Sequence, residues 1–126
     1  MGGRRAARRT ALFLLYQWDL TGQPLASLYE GDIDEFSREL AEAVSGEAAE
    51  LDRMIDEASD EWSADRLGVL ERNVMRVGIY ELVHGTVPVE VAISEAVNLA
   101  KRYASYEAGK LVNGVLARVA RERVAS

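Results

Sequence analysis

The first nine residues contain four arginines, Arg4, Arg5, Arg8 and Arg9, and no acidic residue. A guanidinium group binds phosphate through paired donors and stacks on bases, so this tract has the chemistry to bind nucleic acid. The same arginines could equally form a frayed terminus without a role. The tract by itself therefore predicts a nucleic-acid contact only weakly.

The rest of the charge is distributed unevenly along the chain, whose net charge is −6. Residues 30–61 contain thirteen acids and two bases, whereas the chain from residue 101 onward contains six bases and two acids. Basic ends around an acidic middle indicate a localised basic surface that the net charge conceals. The alternative is that the acidic middle is a solvated face and the arginines a tail. Charge alone does not decide between the two.

The residue patterns that catalysis needs are missing from the sequence. There is no cysteine, and the single histidine, His84, falls at a predicted helix C-terminus, where an imidazolium is favoured and a structural role fits. Gly109-Lys110 is not a phosphate-binding loop, because Ala104 replaces the required glycine and Leu111 follows the lysine. The acids of the middle region are spaced as on a solvated helix face. We therefore expect no enzyme activity, no cofactor and no bound metal.

The composition and the apolar runs indicate a cytoplasmic protein. Residues 11–16 form the longest apolar run near the start, and this run is far shorter than the about 20 residues that span a membrane. Gln17 and Asp19 interrupt the run, and no small-residue cleavage site follows it. The absence of cysteine fits a reducing compartment.

Helical periodicity predicts an all-α protein. The first helix runs from about residue 5 to a stop at Thr21-Gly22, and a short helix or turn follows. The other predicted helices cover about residues 34–44, 47–62, 69–84, 90–104 and 106–123. The 69–84 helix is apolar nearly all round, which places it at the centre of the fold. Within it, Gly78 allows a close neighbour, and Gly85 suits a left-handed C-cap.

Four stretches of the chain resemble the NusB family. They are the arginine tract running into an apolar helix (4–18), the central helix (70–82), the stretch from Val87-Pro88 onward (87–101) and a stretch of the last helix (110–116). All four occur in the family's order and at about its spacing. The last two are the more specific, and the match covers almost the whole chain.

The resemblance implies a NusB-like bundle of about six to seven helices within one domain, 1–126, formed by two packed subdomains of about 1–62 and 63–126. It also implies binding to the single-stranded boxA element of nascent ribosomal RNA transcripts. The expected partners are NusE, which is a small-subunit ribosomal protein, and the RNA polymerase antitermination complex. Together they would suppress premature termination.

The resemblance also assigns roles to individual residues. The predicted RNA-binding residues are Arg4, Arg5, Arg8, Arg9, Tyr16, Arg102, Tyr103, Glu107 and Lys110. The predicted partner-binding residues are Glu71, Arg72 and Arg76. Glu107 is expected beside the RNA path, where its charge repels phosphate. The chain departs from the family at Ala6, where another arginine is common, and at Leu111, where an aromatic is common. Because leucine cannot stack on a base as an aromatic does, the affinity for RNA without the partner is expected to be weak.

Several of these assignments have alternatives. Tyr16 and Tyr103 could be core residues, and Glu71 could belong to an ion network within its own helix. Glu81 is expected to be buried and hydrogen-bonded, because an unpaired buried carboxylate is costly. Asn113-Gly114 is interpreted as a tight helix crossing. For the whole chain, the alternative is a homodimeric helical scaffold in which RNA binding is lost or masked.

Overall fold

The computed structural model describes residues 3–124, and every regular element in that range is helical. The six α-helices are α1 (Gly3–Thr21), α2 (Glu35–Gly46), α3 (Ala48–Ala58), α4 (Val69–His84), α5 (Val89–Tyr103) and α6 (Tyr106–Val119). Two 3-10 turns occur at Leu25–Leu28 and Ala64–Arg66, and a π-helical turn, Ala120–Val124, follows α6. The predicted all-α class is confirmed.

Helix α4 lies at the centre of the bundle and contacts α1, α2, α3, α5 and α6. Its residues from Asn73 to Ile79 are all buried, as expected of a helix that is apolar nearly all round. Gly78 permits the closest approach, because a Cβ at this position would lie 2.7 Å from Leu116 Cδ1 and 3.3 Å from Ala96 Cβ. The predicted role of Gly78 is therefore confirmed.

The helix ends follow local capping rules. Asp34 caps α2 by accepting a hydrogen bond from Ser37 N, and Ser105 caps α6 by accepting one from Ala108 N. Gly85 ends α4 in the left-handed conformation, with φ 64°. The prediction for α3 was too long: the helix ends at Ala58, and Ser59 is extended. Four polar or acidic residues from 59 to 63 flank an exposed Trp62, so no apolar stripe holds this segment in the helix.

One hydrophobic core extends from α1 to α6. Its side chains come from both halves of the chain, for example Leu15 and Ile55 from the first and Val74 and Leu116 from the second. The predicted subdomain boundary near residue 62 falls between α3 and the turn at Ala64–Arg66, and the division stays a prediction. The extreme ends of that prediction, residues 1, 2, 125 and 126, lie outside the described range.

Candidate nucleic-acid interface

The four N-terminal arginines lie on α1 and have three different environments. Arg4 and Arg5 are exposed, Arg9 is half-buried and Arg8 is buried. Successive helical residues point about 100° apart, so a run of arginines at these positions cannot face solvent throughout. The guanidinium of Arg4 lies 4.8 Å from the centroid of the Phe36 ring, which holds it against the surface by a cation–π contact.

Arg8 is part of the protein core. Its Nε donates to both carboxylate oxygens of Glu81, at 3.1 and 2.8 Å, and the two residues are 4% and 1% exposed. Burial raises the pKa of the Glu81 carboxyl, and the charge and hydrogen bonds of Arg8 oppose that rise. The predicted burial of Glu81 is confirmed. The predicted RNA contact of Arg8 conflicts with this placement, because its guanidinium is enclosed and already paired.

Arg5 connects the arginine tract to α5. Its Nε and Nη2 donate to the carboxylate of Glu95, the shortest distance being 2.8 Å. The Arg5 side chain is 76% exposed, whereas that of Glu95 is 12% exposed. A guanidinium has five N–H donors in a planar fork, so donors of Arg5 remain free on its solvent side. The ion pair therefore fixes the position of Arg5 without covering it.

Aromatic and basic side chains continue from α1 onto the end of α5. The rings of Phe13 and Tyr103 meet edge to face, with centroids 5.0 Å apart and an interplanar angle of 84°. Arg102 lies over the Tyr103 ring at 5.6 Å. Tyr103 and Tyr16 are both half-buried, so each ring packs against the protein on one side and reaches solvent on the other. These contacts place Tyr103 and Arg102 beside α1.

Two further predicted residues lie on α6. Lys110 is exposed, and its Nζ lies 5.1 Å from the centroid of the Tyr106 ring. Glu107 is also exposed and lies in the first turn of the helix. An acid at that position faces the positive end of the helix dipole, which favours it.

A groove of about 890 Å³ adjoins these residues, and both Glu107 and Lys110 contribute to its lining. It is formed by the segment 58–68, the start of α4 and one face of α6, and its lining includes Trp62, Glu71, Lys110 and Leu111. Trp62 is 46% exposed. Exposed aromatic side chains such as Trp62 are enriched at protein-binding surfaces, where they anchor the centre of a contact with a polar rim.

Glu71 is half-buried in this groove. Its carboxylate packs against the start of α4, since a Cβ at Gly68 would lie 2.5 Å from Glu71 Oε1. No ion pair is formed by Glu71 within residues 3–124, so the alternative of an intrahelical ion network is not supported. The carboxylate is therefore available to a partner that occupies the groove.

The two arginines that follow Glu71 have different surroundings. Arg72 Nε donates to Asp19 at 2.9 Å, and Arg76 contacts Asp19 at 3.0 Å and Asp52 at 2.7 Å. Burial acts to raise the pKa of Asp19, but the hydrogen bond from Arg72 and the charge of Arg76 outweigh it, so that pKa is lowered. Both arginines join α4 to α1 or α3 within the fold. Their predicted role in partner binding conflicts with these contacts.

Known proteins are similar to this chain over most of its length. The NusB family model matches residues 5–121, which is nearly the whole chain. A transcription antitermination protein NusB from Rubrobacter xylanophilus is 38% identical over 120 residues, covering 90% of this chain and 86% of that protein.

The chain belongs to the NusB family.

Solved structures of NusB proteins have the same fold. T. maritima NusB superimposes with a TM-score of 0.85 at 32% identity, covering 97% of this chain and 93% of that one. A chain from the structure of antitermination factors NusB and NusE in complex with double-stranded RNA gives a TM-score of 0.80 at 32% identity. That match covers 94% of this chain and 96% of the other. The similarity therefore extends over the complete bundle.

Membership of the NusB family confirms two predictions, the NusB-like all-α fold and the absence of enzymatic function. Within the part of the chain that the structure describes, no helix is long and apolar enough to cross a membrane. Over the same residues, no cluster of three or more His, Asp or Glu side chains has the arrangement of a metal site.

Sequence reasoning about this NusB-family chain missed some residues and misassigned others. It did not single out Tyr106, Lys101 or Trp62. Tyr106 and Trp62 could have been identified, because they are large apolar side chains that lie outside the predicted apolar stripes. Asn113-Gly114 was wrongly interpreted as a tight crossing. Both residues are exposed, and a Cβ at Gly114 would meet nothing within 4 Å.

Proposed function

We propose that this protein is a transcription antitermination factor that binds boxA-type RNA of nascent ribosomal RNA transcripts together with NusE. It acts in the cytoplasm, where the complex joins RNA polymerase and suppresses premature termination. The main support is one observation: in a chain of the NusB family, α1 with its exposed arginines contacts α5 through Arg5–Glu95 and meets the basic end of α5 through Phe13 and Tyr103. Further support for binding to RNA and NusE comes from the related solved complex, which contains NusB, NusE and double-stranded RNA.

The proposed RNA surface is a revised set of the predicted residues. Arg4, Arg5 and Arg9 contribute from α1, and the ends of α5 and α6 contribute Arg102, Tyr103 and Lys110, with Tyr16 and Glu107 at its margin. Arg8 supports this surface from below through Glu81. Phosphate contacts from the basic residues supply affinity, and unstacked bases supply the specificity for a single strand.

The proposed NusE site is the groove beside Glu71. Its apolar side chains, including Trp62 and Leu111, would be covered by the partner, and the Glu71 carboxylate would accept from a donor of the partner. Arg72 and Arg76 act indirectly, because they hold α4 in position against α1 and α3. The groove and the RNA surface share Glu107 and Lys110, so the two ligands would bind side by side.

Titration of RNA in the presence and absence of NusE tests this function. We expect a single-stranded boxA-like RNA to bind more tightly when NusE is present, and more tightly than a duplex of the same sequence. A scrambled single strand controls for charge alone. Equal binding of all three RNAs would contradict boxA recognition. An absence of binding with and without NusE, together with a dimeric mass in solution, would favour the homodimeric scaffold instead.

Charge reversal at Glu71 should weaken NusE binding. In Glu71→Lys an ammonium replaces the only carboxylate that α4 contributes to the groove. A positively charged donor of NusE that pairs with Glu71 would then face a like charge. We expect calorimetry with NusE to show a loss of about tenfold or more, since a charged hydrogen bond is worth about 1.5–3 kcal/mol. RNA affinity without NusE should not change.

Glu90→Lys is the matched control for this variant. Glu90 is also an acid in the first turn of a helix, α5, but it is exposed and lies outside the groove. The two reversals therefore carry a similar cost against the helix dipole. Wild-type NusE affinity in Glu71→Lys, or an equal loss in both variants, would remove Glu71 from the interface.

Neutralising Glu107 should strengthen RNA binding. The carboxylate is three residues from Lys110 and repels phosphate on the proposed surface, whereas its helix-dipole contribution is only about 0.3–1 kcal/mol. In Glu107→Gln, RNA affinity should rise at low salt and the gain should shrink at high salt, where the repulsion is screened. Glu90→Gln is the control, because twelve residues of helix separate Glu90 from Arg102, a distance of about 18 Å. If Glu107→Gln gives no gain at low salt, Glu107 does not lie beside the RNA.

A further inference from the structure

Tyr106 presents an aromatic ring to solvent at the first position of α6. It is 60% exposed, more than any other large apolar side chain in residues 3–124. The turn that precedes it is tightly built, since Ser105 Oγ accepts from Ala108 N at 3.0 Å. The ring therefore projects from a fixed backbone and is not part of the core.

Two lysines from different helices converge on this ring. Lys101 Nζ, from α5, lies 5.3 Å from the ring centroid, and Lys110 Nζ, from α6, lies 5.1 Å from it. An exposed cation–π contact is weaker than the stacking of a base on an aromatic ring. A nucleobase can therefore displace an ammonium from the ring face, and the displaced ammonium remains within reach of the adjoining phosphate.

Gly109 provides the space that Lys101 needs. A Cβ at this position would lie 2.6 Å from Lys101 Cγ and 3.2 Å from Lys101 Cε. Because Gly109 has no side chain, the aliphatic part of Lys101 lies across α6 and its ammonium reaches Tyr106. The convergence of the two lysines thus depends on the packing of α5 against α6.

The surroundings of Tyr106 favour RNA over a protein as the ligand. Lysine is depleted at protein interfaces, yet two lysines flank this ring. The preceding residues on α5, Arg102 and Tyr103, continue the alternation of basic and aromatic side chains towards Phe13. Aromatic rings interleaved with basic residues form the usual platform for single-stranded nucleic acid.

We propose that Tyr106 stacks on a nucleobase of the bound RNA, while Lys101 and Lys110 contact the phosphates on either side of it. This inference rests on the proposed function, because the ligand is the same RNA strand. It adds to the predicted surface a stacking position on α6 and a second lysine. It also supplies the aromatic contact that Leu111, in the groove, cannot provide.

Replacing Tyr106 with leucine tests the stacking. With NusE present, Tyr106→Leu should lower the affinity for boxA-like RNA by at least about fivefold. This is the effect expected for the weakest base–aromatic stack. Tyr106→Phe keeps the ring and should retain wild-type affinity. Val83→Ala, which trims an exposed apolar side chain outside both the groove and the proposed RNA surface, is the control under the same conditions and should bind RNA like the wild type. Lys101→Gln should reduce the magnitude of the salt slope by about 0.7, the value for one phosphate contact on a single strand.

An RNA series with one base removed at a time identifies the stacked nucleotide. At that position the loss from Tyr106→Leu should disappear, since neither partner of the stack is then present. If wild-type protein binds the RNA and Tyr106→Leu binds it equally well, the stacking proposal is wrong while the proposed function stands. If Tyr106→Leu weakens NusE binding in the absence of RNA, the ring contacts protein and the proposal is also wrong. Failure of the wild type to bind RNA would overturn both.

Discussion

Replacing Arg8 with methionine is expected to lower the free energy of unfolding by about 3–5 kcal/mol, the usual cost of removing one partner from a buried ion pair. The substitution leaves Glu81, which is 1% exposed, without the guanidinium that donates to both of its oxygens. This is the largest stability change that we expect from any single arginine of the tract. Urea unfolding followed by circular dichroism measures it.

The loss in Arg8→Met should depend on pH. Burial raises the folded-state pKa of Glu81 above its ordinary value of 4.5, and removal of Arg8 removes the charge that opposes the rise. A carboxyl with a raised folded-state pKa contributes its stability below the unfolded-state pKa and loses it as the pH rises through the folded-state value. The stability of the variant should therefore be closest to that of the wild type below pH 4.5, and the difference should grow as the pH rises towards neutral.

Two variants control for this result. Arg9→Met removes the neighbouring, half-buried arginine and should change stability by no more than about 0.5–1 kcal/mol. Arg8→Met combined with Glu81→Leu removes both charges and should recover most of the loss, because buried pairs are often replaceable by apolar residues. The double variant should also retain the affinity for RNA. If Arg8→Met unfolds like Arg9→Met, the buried pair is not a significant contact.

Replacing Arg4, Arg5 and Arg9 with alanine should produce the largest loss of RNA binding. Each phosphate contact to a single strand contributes about −0.7 to the slope of log affinity against log salt, so three contacts contribute about −2. Between about 50 and 200 mM salt, the wild type should then lose about 20-fold more affinity than the triple variant. Fluorescence anisotropy of labelled boxA-like RNA over this salt range measures both the slope and the affinity.

A second triple variant separates contact from net charge. Alanine at Arg38, Arg53 and Arg123 removes the same charge from the acidic side, where these residues pair with Glu35, Glu50 and Glu57. This variant should keep the wild-type slope. An equal change in both variants would indicate a general effect of charge. An unchanged slope in the first variant would place RNA away from α1.

Much of the fold could be predicted because helical periodicity is a local signal. Both bounds of α4 agree with the prediction. Its C-terminal end was predictable because Gly85, which adopts the left-handed conformation, directly follows the apolar stretch. The end of α3 was missed, because Asp60 and Glu61 are compatible with a helix and only tertiary packing decides whether Trp62 faces inward. Such boundaries depend on contacts that are distant in sequence.

The candidate surface was predicted less completely, and Arg8 shows the reason. It precedes Ala11, Leu12 and Leu15 by three, four and seven residues, which is the spacing of a buried stripe. That signal was available, but it was outweighed by the uniform charge of the tract. The partner of Arg8, Glu81, is 73 residues away, and no local pattern identifies it. The same applies to Arg72 and Arg76, whose contacts with α1 and α3 arise only in the folded chain.

The inclusion of the arginine tract in α1 has a consequence for the thermodynamics of binding. Arginine-rich segments are often disordered until they meet RNA, and fixing the backbone of each residue costs about 1–2 kcal/mol of conformational entropy. Here the helix extends from Gly3 to Thr21, and the Arg5–Glu95 and Arg8–Glu81 pairs anchor its first turns. That entropy is lost when the protein folds and not when RNA arrives. We therefore expect RNA binding to have a small heat-capacity change, because the protein surface is already rigid and most of the ordering on binding occurs in the RNA strand.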